Sequence, residues 1–319
     1  MEEEFNLSDE ELFSRVDSSS ISSEKITAPR YSYWKSVARV FFRKKINWIV
    51  LILLGFIVVF AFIYPFIVNY DPFANIQDTT RQHLSPAAAI DKLGFSFHWI
   101  LGTGSSGESI FDSTWYGAKT SLSLALICAL INMTIGILVG AVWGFSKKVD
   151  VIMQEVYNII ANVPYILFVS VFVFVVGSGF WPFVAALTIT GWLGIAYFIR
   201  TQVIIIRDRE YNMASKCLGT PIFRMTLKNI LPFLTSVIVT VAATEIPSYI
   251  SYEVFLSYIG IGLSAEEASL GLMISNAQGS FTTFPWEFWS PVFIASFVTI
   301  VLYIVGQNLG DASDPRTHM

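Results

Sequence analysis

The chain has 319 residues, 54% hydrophobic and 14% charged, with net charge −4 and mean hydropathy +0.60. Soluble globular proteins carry about 25% charged residues, so this composition belongs to an integral membrane protein. Two cysteines exclude a disulfide scaffold, and an acidic balance excludes the basic surface that nucleic acid requires.

Residues 1–30 hold eight acids against three bases, an acidic cytoplasmic N-terminal tail of net −5. No basic stretch leads straight into an apolar run, so the start does not read as a signal peptide. Ser8 and Glu11 form a capping-box pattern ahead of Leu12, Phe13 and Val16, and the serine-rich run 18–23 reads as a tether. The tail either docks on a cytoplasmic partner or is a solvated extension, and its composition favours the second. Residues 31–45 form a juxtamembrane segment, and 46–319 the transmembrane domain.

A helix needs about 20 mainly apolar residues to cross the hydrocarbon core. Six segments qualify: 46–68, 121–143, 152–176, 183–206, 230–249 and 291–309. The expected fold is therefore all-α, a polytopic membrane protein with six transmembrane helices. Basic residues are retained on the cytoplasmic side. Arg43, Lys44 and Lys45 precede the first span, Lys147 and Lys148 follow the second, and Arg207, Arg209, Lys216, Arg224 and Lys228 lie between the fourth and fifth. Both termini and loop 207–229 are thus expected in the cytoplasm, with loops 69–120 and 250–290 outside.

Gly136, Gly140 and Gly144 make two consecutive GxxxG steps in the second span, and Gly306 with Gly310 another in the sixth. Small residues on one face let two helix backbones approach closely. Pro164 and Pro247 are expected to interrupt the third and fifth spans, freeing carbonyls that must be satisfied inside protein or a watery cavity.

Catalytic motifs fail on inspection. The run 102–109 resembles a P-loop, but Glu108 stands where the phosphate-binding lysine belongs. Gly104-Ser105-Ser106-Gly107 resembles a serine-protease motif, yet His83, His98 and His318 all lie outside the spans. Scattered histidines and cysteines give no metal-ligand spacing. The ionisable residues at the spans, Asp150, Glu155, Arg200 and Glu245, sit away from span centres and read as paired or snorkelling groups.

The informative stretch is 208–232. Asp208 is a plausible N-cap, with Glu210 favoured in the first turn by the helix dipole. Met213, Ala214, Cys217 and Leu218 give one apolar side. Gly219 can end that helix in a left-handed conformation, and Thr220 can cap a second helix with Pro221 at its first position. Such a loop fits either the lipid headgroups or a cleft on a cytoplasmic protein.

This loop resembles the EAA loop of ABC-importer permeases: Ala214, Gly219, Leu231 and Pro232 keep its register, while Met213 and Ser215 replace the glutamate and second alanine. Leu101-Gly102-Thr103, the run 116–122 (YGAKTSL) and the run 257–263 (SYIGIGL) resemble the oligopeptide and dipeptide permease subfamily. So do Asn308-Leu309-Gly310-Asp311, Asp314-Pro315-Arg316 and Tyr31-Ser32-Tyr33-Trp34; the polar run at Gly104, Glu108 and Ser109 departs from it. The resemblance is closest to the OppC/AmiD-type subunits of Gram-positive oligopeptide importers.

That resemblance implies a type I ABC-importer permease fold and a cell-membrane location. It implies a non-catalytic subunit working with a paralogous permease, two ATPase subunits that hold ATP and Mg, and an external peptide-binding lipoprotein. No cofactor is expected in this chain. It assigns ATPase coupling to Glu210, Tyr211, Met213, Ala214, Leu218, Gly219, Thr220, Pro221 and Arg224. Tyr258, Gly260, Gly262 and Leu263 are expected to form an outer gate or a docking surface for the binding protein, together with 266–280. The alternatives are a dipeptide, nickel or glutathione permease, a stand-alone secondary transporter, or a membrane scaffold. A secondary transporter would call for an internal repeat with midplane polar residues, and the sequence displays neither.

The charge asymmetry makes a direct prediction. With both native cysteines replaced, Ser105→Cys should react with an impermeant thiol reagent added outside intact cells. Reaction only after permeabilisation would invert the topology.

Overall fold

The computed structural model describes residues 32–68, 78–264 and 267–314. The acidic tail with its capping box and serine tether, Tyr31, Glu266, Pro315 and Arg316 lie outside the described residues. Among the described residues, five helices are long and apolar enough to cross a membrane: Lys45–Ile67, Ile110–Phe145, Phe180–Arg207, Phe223–Tyr258 and Pro285–Ser313. Lys147–Ala161 with Tyr165–Val176 makes a sixth if its 77° bend is one broken span.

The juxtamembrane segment is a helix, α1 (Tyr33–Arg43). It lays Val37 and Phe41 against Ala312 of the last helix, while the Tyr33 hydroxyl donates to the Ser313 carbonyl (2.8 Å). Both described ends of the chain therefore lie together. The first span, α2 (Lys45–Val58), continues through a π-turn to Ile67.

Residues 78–109 build a packed layer around α3 (Pro86–Leu93). Thr103 organises it. Its hydroxyl donates to the Arg81 carbonyl and accepts from the Leu84 N–H (2.9 Å), and its carbonyl accepts from the Trp286 indole (3.4 Å). The P-loop lookalike is a closed turn in which the Glu108 carboxylate folds over Gly104 and accepts the Ser106 N–H (2.8 Å). Burial pushes the Glu108 carboxyl above its ordinary value.

Ser109 then caps α4 (Ile110–Phe145) by accepting the Asp112 N–H (3.1 Å). At 36 residues α4 is about 54 Å long, well beyond a roughly 30 Å hydrocarbon core. It starts well ahead of the apolar stretch that the sequence marks as the span.

The third span is α5 (Lys147–Ala161) and α6 (Tyr165–Val176), and Pro164 stands at the bend, as expected. The fourth is α7 (Phe180–Ile189) and α8 (Trp192–Arg207), broken at Thr190 and Gly191. Residues 207–229 hold α9 (Glu210–Cys217) and α10 (Ile222–Met225), followed by α11 (Thr235–Tyr258), α12 (Leu270–Ala277) and α13 (Pro285–Ser313).

The glycine steps are contact seams. A Cβ on Gly136 would lie 2.7 Å from the Ile195 Cβ, one on Gly140 2.9 Å from the Ala196 Cα, and one on Gly144 2.7 Å from the Arg200 carbonyl. The backbones of α4 and α8 thus touch over three turns. Gly306 brings α13 equally close to Ala243 of α11, and Gly310 somewhat less close to Thr240, whose Cα would lie 3.4 Å from an added Cβ.

The expected interruption at Pro247 does not occur. Helix α11 runs through it, and the irregular stretch comes earlier, a π-turn at Thr226–Ile230 and a 3-10 turn at Leu231–Leu234. Pro247 lacks the N–H that would bond Ala243, and the Ala243 carbonyl faces Gly306, where a Cβ would lie 2.5 Å away. A glycine on the facing helix leaves that carbonyl room, and the helix continues unbroken.

Packing at the α4–α8 seam sets a test. Gly140→Val would drive its side chain into the Ala196 backbone, a destabilisation on the order of 2 kcal/mol. Its thermal midpoint in mild detergent should fall by several degrees, whereas Gly55→Ala, which meets open space, should not move it. A wild-type midpoint for Gly140→Val would refute the seam.

Candidate functional site

Three features converge on function: the segment after α8, the turn after α11, and a cavity between the broken helices. In the first, Asp208 does not cap α9. Arg209 takes the N-cap position and Asp208 pairs with Arg207 (3.4 Å), because α8 extends to Arg207 and leaves only a short turn. Leu218 and Gly219 then close α9. The Gly219 N–H donates to the Lys216 carbonyl and the Thr220 N–H to that of Ser215, with Gly219 at φ +79°. This is a Schellman closure, which glycine makes without Cβ strain. Pro221 stands immediately before α10, its carbonyl accepting the Met225 N–H (3.0 Å). The second short helix is not separate, since it merges through the irregular turns into α11.

Glu210, Tyr211, Met213, Ala214, Leu218, Pro221 and Arg224 are all exposed, and Leu218 is 86% exposed. The apolar side read from the sequence therefore points outward. What holds it there is polar. Asn212 is buried, donates to the Ile206 carbonyl (3.0 Å) and accepts from Asn229, whose amide also reaches Ser215 (both 3.3 Å). Sequence reasoning missed Asn212 and Asn229, since a lone asparagine in a polar loop gives no periodic signal.

The turn after α11 uses the same closure. Gly260 (φ +82°) donates to the Ser257 carbonyl (3.0 Å), and Ile261 donates to that of Leu256 (2.8 Å). Tyr258 and Gly260 face outward. Gly262 and Leu263 pack inward, the Gly262 carbonyl accepting the Gly179 N–H (3.1 Å) and Leu263 being buried. The four gate positions thus divide between surface and core. Beneath them Glu253 is fully buried, accepting from Ser121 (2.7 Å) and Ser257 (3.1 Å), with Gly271 packed on it. The sequence offered no sign of it because the fifth span was expected to end before Glu253.

Of the four ionisable residues read as paired or snorkelling, Asp150 and Arg200 pair with each other, a two-point contact of 2.5 and 3.1 Å with Trp143 beneath the guanidinium. Glu155 is exposed. Glu245 departs from expectation: the extension of α11 to Tyr258 moves it near the middle of that helix. It lines a cavity of ≈ 390 Å³ with Tyr157, Pro164, Tyr165, Thr190, Tyr249 and Tyr252 among its walls, and no described lining residue is cationic. Both helix breaks open onto this space.

Residues 132–319 match the family described as binding-protein-dependent transport system inner membrane component, and residues 32–86 match the N-terminal transmembrane domain of oligopeptide transport permease C. The chain belongs to this permease family. It is 44% identical to the oligopeptide transport system permease protein AmiD of Streptococcus pneumoniae, covering 97% of this chain and 98% of that one. The oligopeptide permease OppC and the dipeptide permease DppC of Bacillus subtilis are each 33% identical over 92% of the chain, and 93% and 89% of their own lengths. The all-helical fold and the reading of a multi-pass, non-catalytic transport component follow directly.

In this permease the exposed segment Glu210–Cys217 and the turn at Gly260 lie near opposite ends of α11, with the cavity between them. Arg207, at the end of α8, donates to the Gly144 carbonyl (2.7 Å) and ties the segment back to the glycine seam.

Proposed function

We propose that this permease forms, with a paralogous permease, the membrane path of an ATP-driven oligopeptide importer, and that segment 210–224 couples it to the ATPase subunits. Two ATPases would bind ATP and Mg, while an external lipoprotein would deliver peptide to the turn at Tyr258 and Gly260. The observation that carries the reading is the outward apolar face of α9, held by buried Asn212 and closed by Gly219. Exposed Tyr211, Met213, Leu218 and Phe223 at one end of the bundle suit a groove on a partner better than water. Lys147, Lys148, Arg207 and Lys216 beside them support a cytoplasmic position for this end, and the reading keeps both termini in the cytoplasm and the chain in the cell membrane of a Gram-positive bacterium. Dipeptides are the second reading, supported by the equal similarity to the dipeptide and oligopeptide permeases of Bacillus subtilis.

Gly219→Val tests the coupling role. The site has open space around it, so the cost is backbone strain of about 1 kcal/mol or more at a left-handed residue. The variant should reach the membrane at wild-type levels but lose ATPase copurification and peptide uptake. Gly94→Val is the matched control, a positive-φ glycine in open space away from the segment (φ +87°), and should retain both. Wild-type coupling in Gly219→Val would make the segment a lipid-surface helix.

A further inference from the structure

The cavity at the helix breaks has features that packing alone does not require. Irregular backbone at membrane depth is tolerated where it is buried in protein or lines a watery space. Here two broken helices meet around one, α5–α6 at Pro164 and α7–α8 at Thr190 and Gly191. The freed Leu187 carbonyl is satisfied by the Tyr165 hydroxyl (2.7 Å) and the Asn132 amide (3.2 Å). Asn132 also donates to the Tyr249 hydroxyl (2.6 Å), and Glu245 lies one turn before Tyr249 on α11 and lines the same cavity. No lysine, arginine or histidine lines the space among the described residues. The Thr190 hydroxyl on the same wall has no hydrogen-bond partner.

A carboxylate among tyrosine rings is the chemistry that recognises an organic cation. The carboxylate offers a charge-assisted hydrogen bond, and ring faces attract the positive charge. At ≈ 390 Å³ the space falls within the roughly 300–1,000 Å³ of small-ligand sites, enough for one end of a peptide but not for a long chain. We propose that Glu245, framed by Tyr157, Tyr165, Tyr249 and Tyr252, is a transient binding site for a primary ammonium group of the passing peptide. The inference rests on the oligopeptide reading above. Peptides carry such a group at the α-amine and on lysine side chains. A single carboxylate holds the cation without the multiple ligands that would trap it.

The test is ATP-driven uptake into proteoliposomes holding the full transporter and its binding protein, with tetraalanine as probe. Glu245→Gln should lower the initial rate about tenfold, and Glu245→Asp should restore most of it, since a charge-assisted hydrogen bond is lost in the first and kept in the second. Copurification with the ATPases checks that each variant assembles. Comparison with N-acetyl-Ala-Lys-Ala-Ala separates the sources. A loss for tetraalanine alone assigns the α-ammonium, and equal losses assign any primary ammonium. Wild-type rates in Glu245→Gln, or equal losses in Gln and Asp variants that assemble, would overturn the ammonium site while leaving the oligopeptide reading intact. A wild-type transporter that moves no peptide would sink that reading and this site with it.

Discussion

At membrane depth a backbone carbonyl without a partner costs several kcal/mol, and the break after α7 answers to that constraint. Where α7 stops at Ile189, the freed Leu187 carbonyl is taken by Tyr165 and Asn132 from two other helices. At Pro247, which removes a donor, Gly306 contributes close packing against the Ala243 carbonyl rather than a hydrogen bond. Gly191 is needed at its break because a Cβ would collide with Leu187 and lie 2.6 Å from the Asn132 amide nitrogen. The broken helices, the tyrosines and the cavity are therefore one connected arrangement.

The glycine seam gives this arrangement a connection to the end that carries α9. Backbone contact over three turns leaves α4 and α8 little freedom to slide, and close packing transmits strain. Arg207 extends the seam to the segment after α8 through the Gly144 carbonyl, and Asn212 locks that segment to Ile206. In the proposed importer, a push on the α9 face moves α8, whose N-terminal break forms part of the cavity wall. At the other end, the Glu253 serine cluster and the Gly260 closure tie α11 to α4 and α12.

Much of this was legible in the sequence because the signals are local. Apolar length marks the spans, small-residue spacing marks the seams, and Gly219 followed by Thr220-Pro221 marks a helix end. That Asp150 and Arg200 would be paired or snorkelling was legible from charge, but which group meets which was not. The misses are long-range. Pro247 looks like a break until Gly306, far along the chain, is placed opposite it. Glu253 and Glu245 were misjudged because α11 continues beyond its apolar stretch, its added turns held by contacts with Ser121 and Gly271. Docking of α1 on the last helix, through Tyr33 and Ser313, has no local signature at all.

The central claim is that the exposed face of α9 contacts an ATPase subunit. Cys217 lies on it and is exposed, whereas Cys128 is buried, so a thiol-directed photo-crosslinker reports on that one position in the wild-type protein. In membranes containing the assembled transporter, irradiation after labelling Cys217 should give a covalent adduct of this chain with an ATPase subunit. Adducts confined to lipid would contradict the claim.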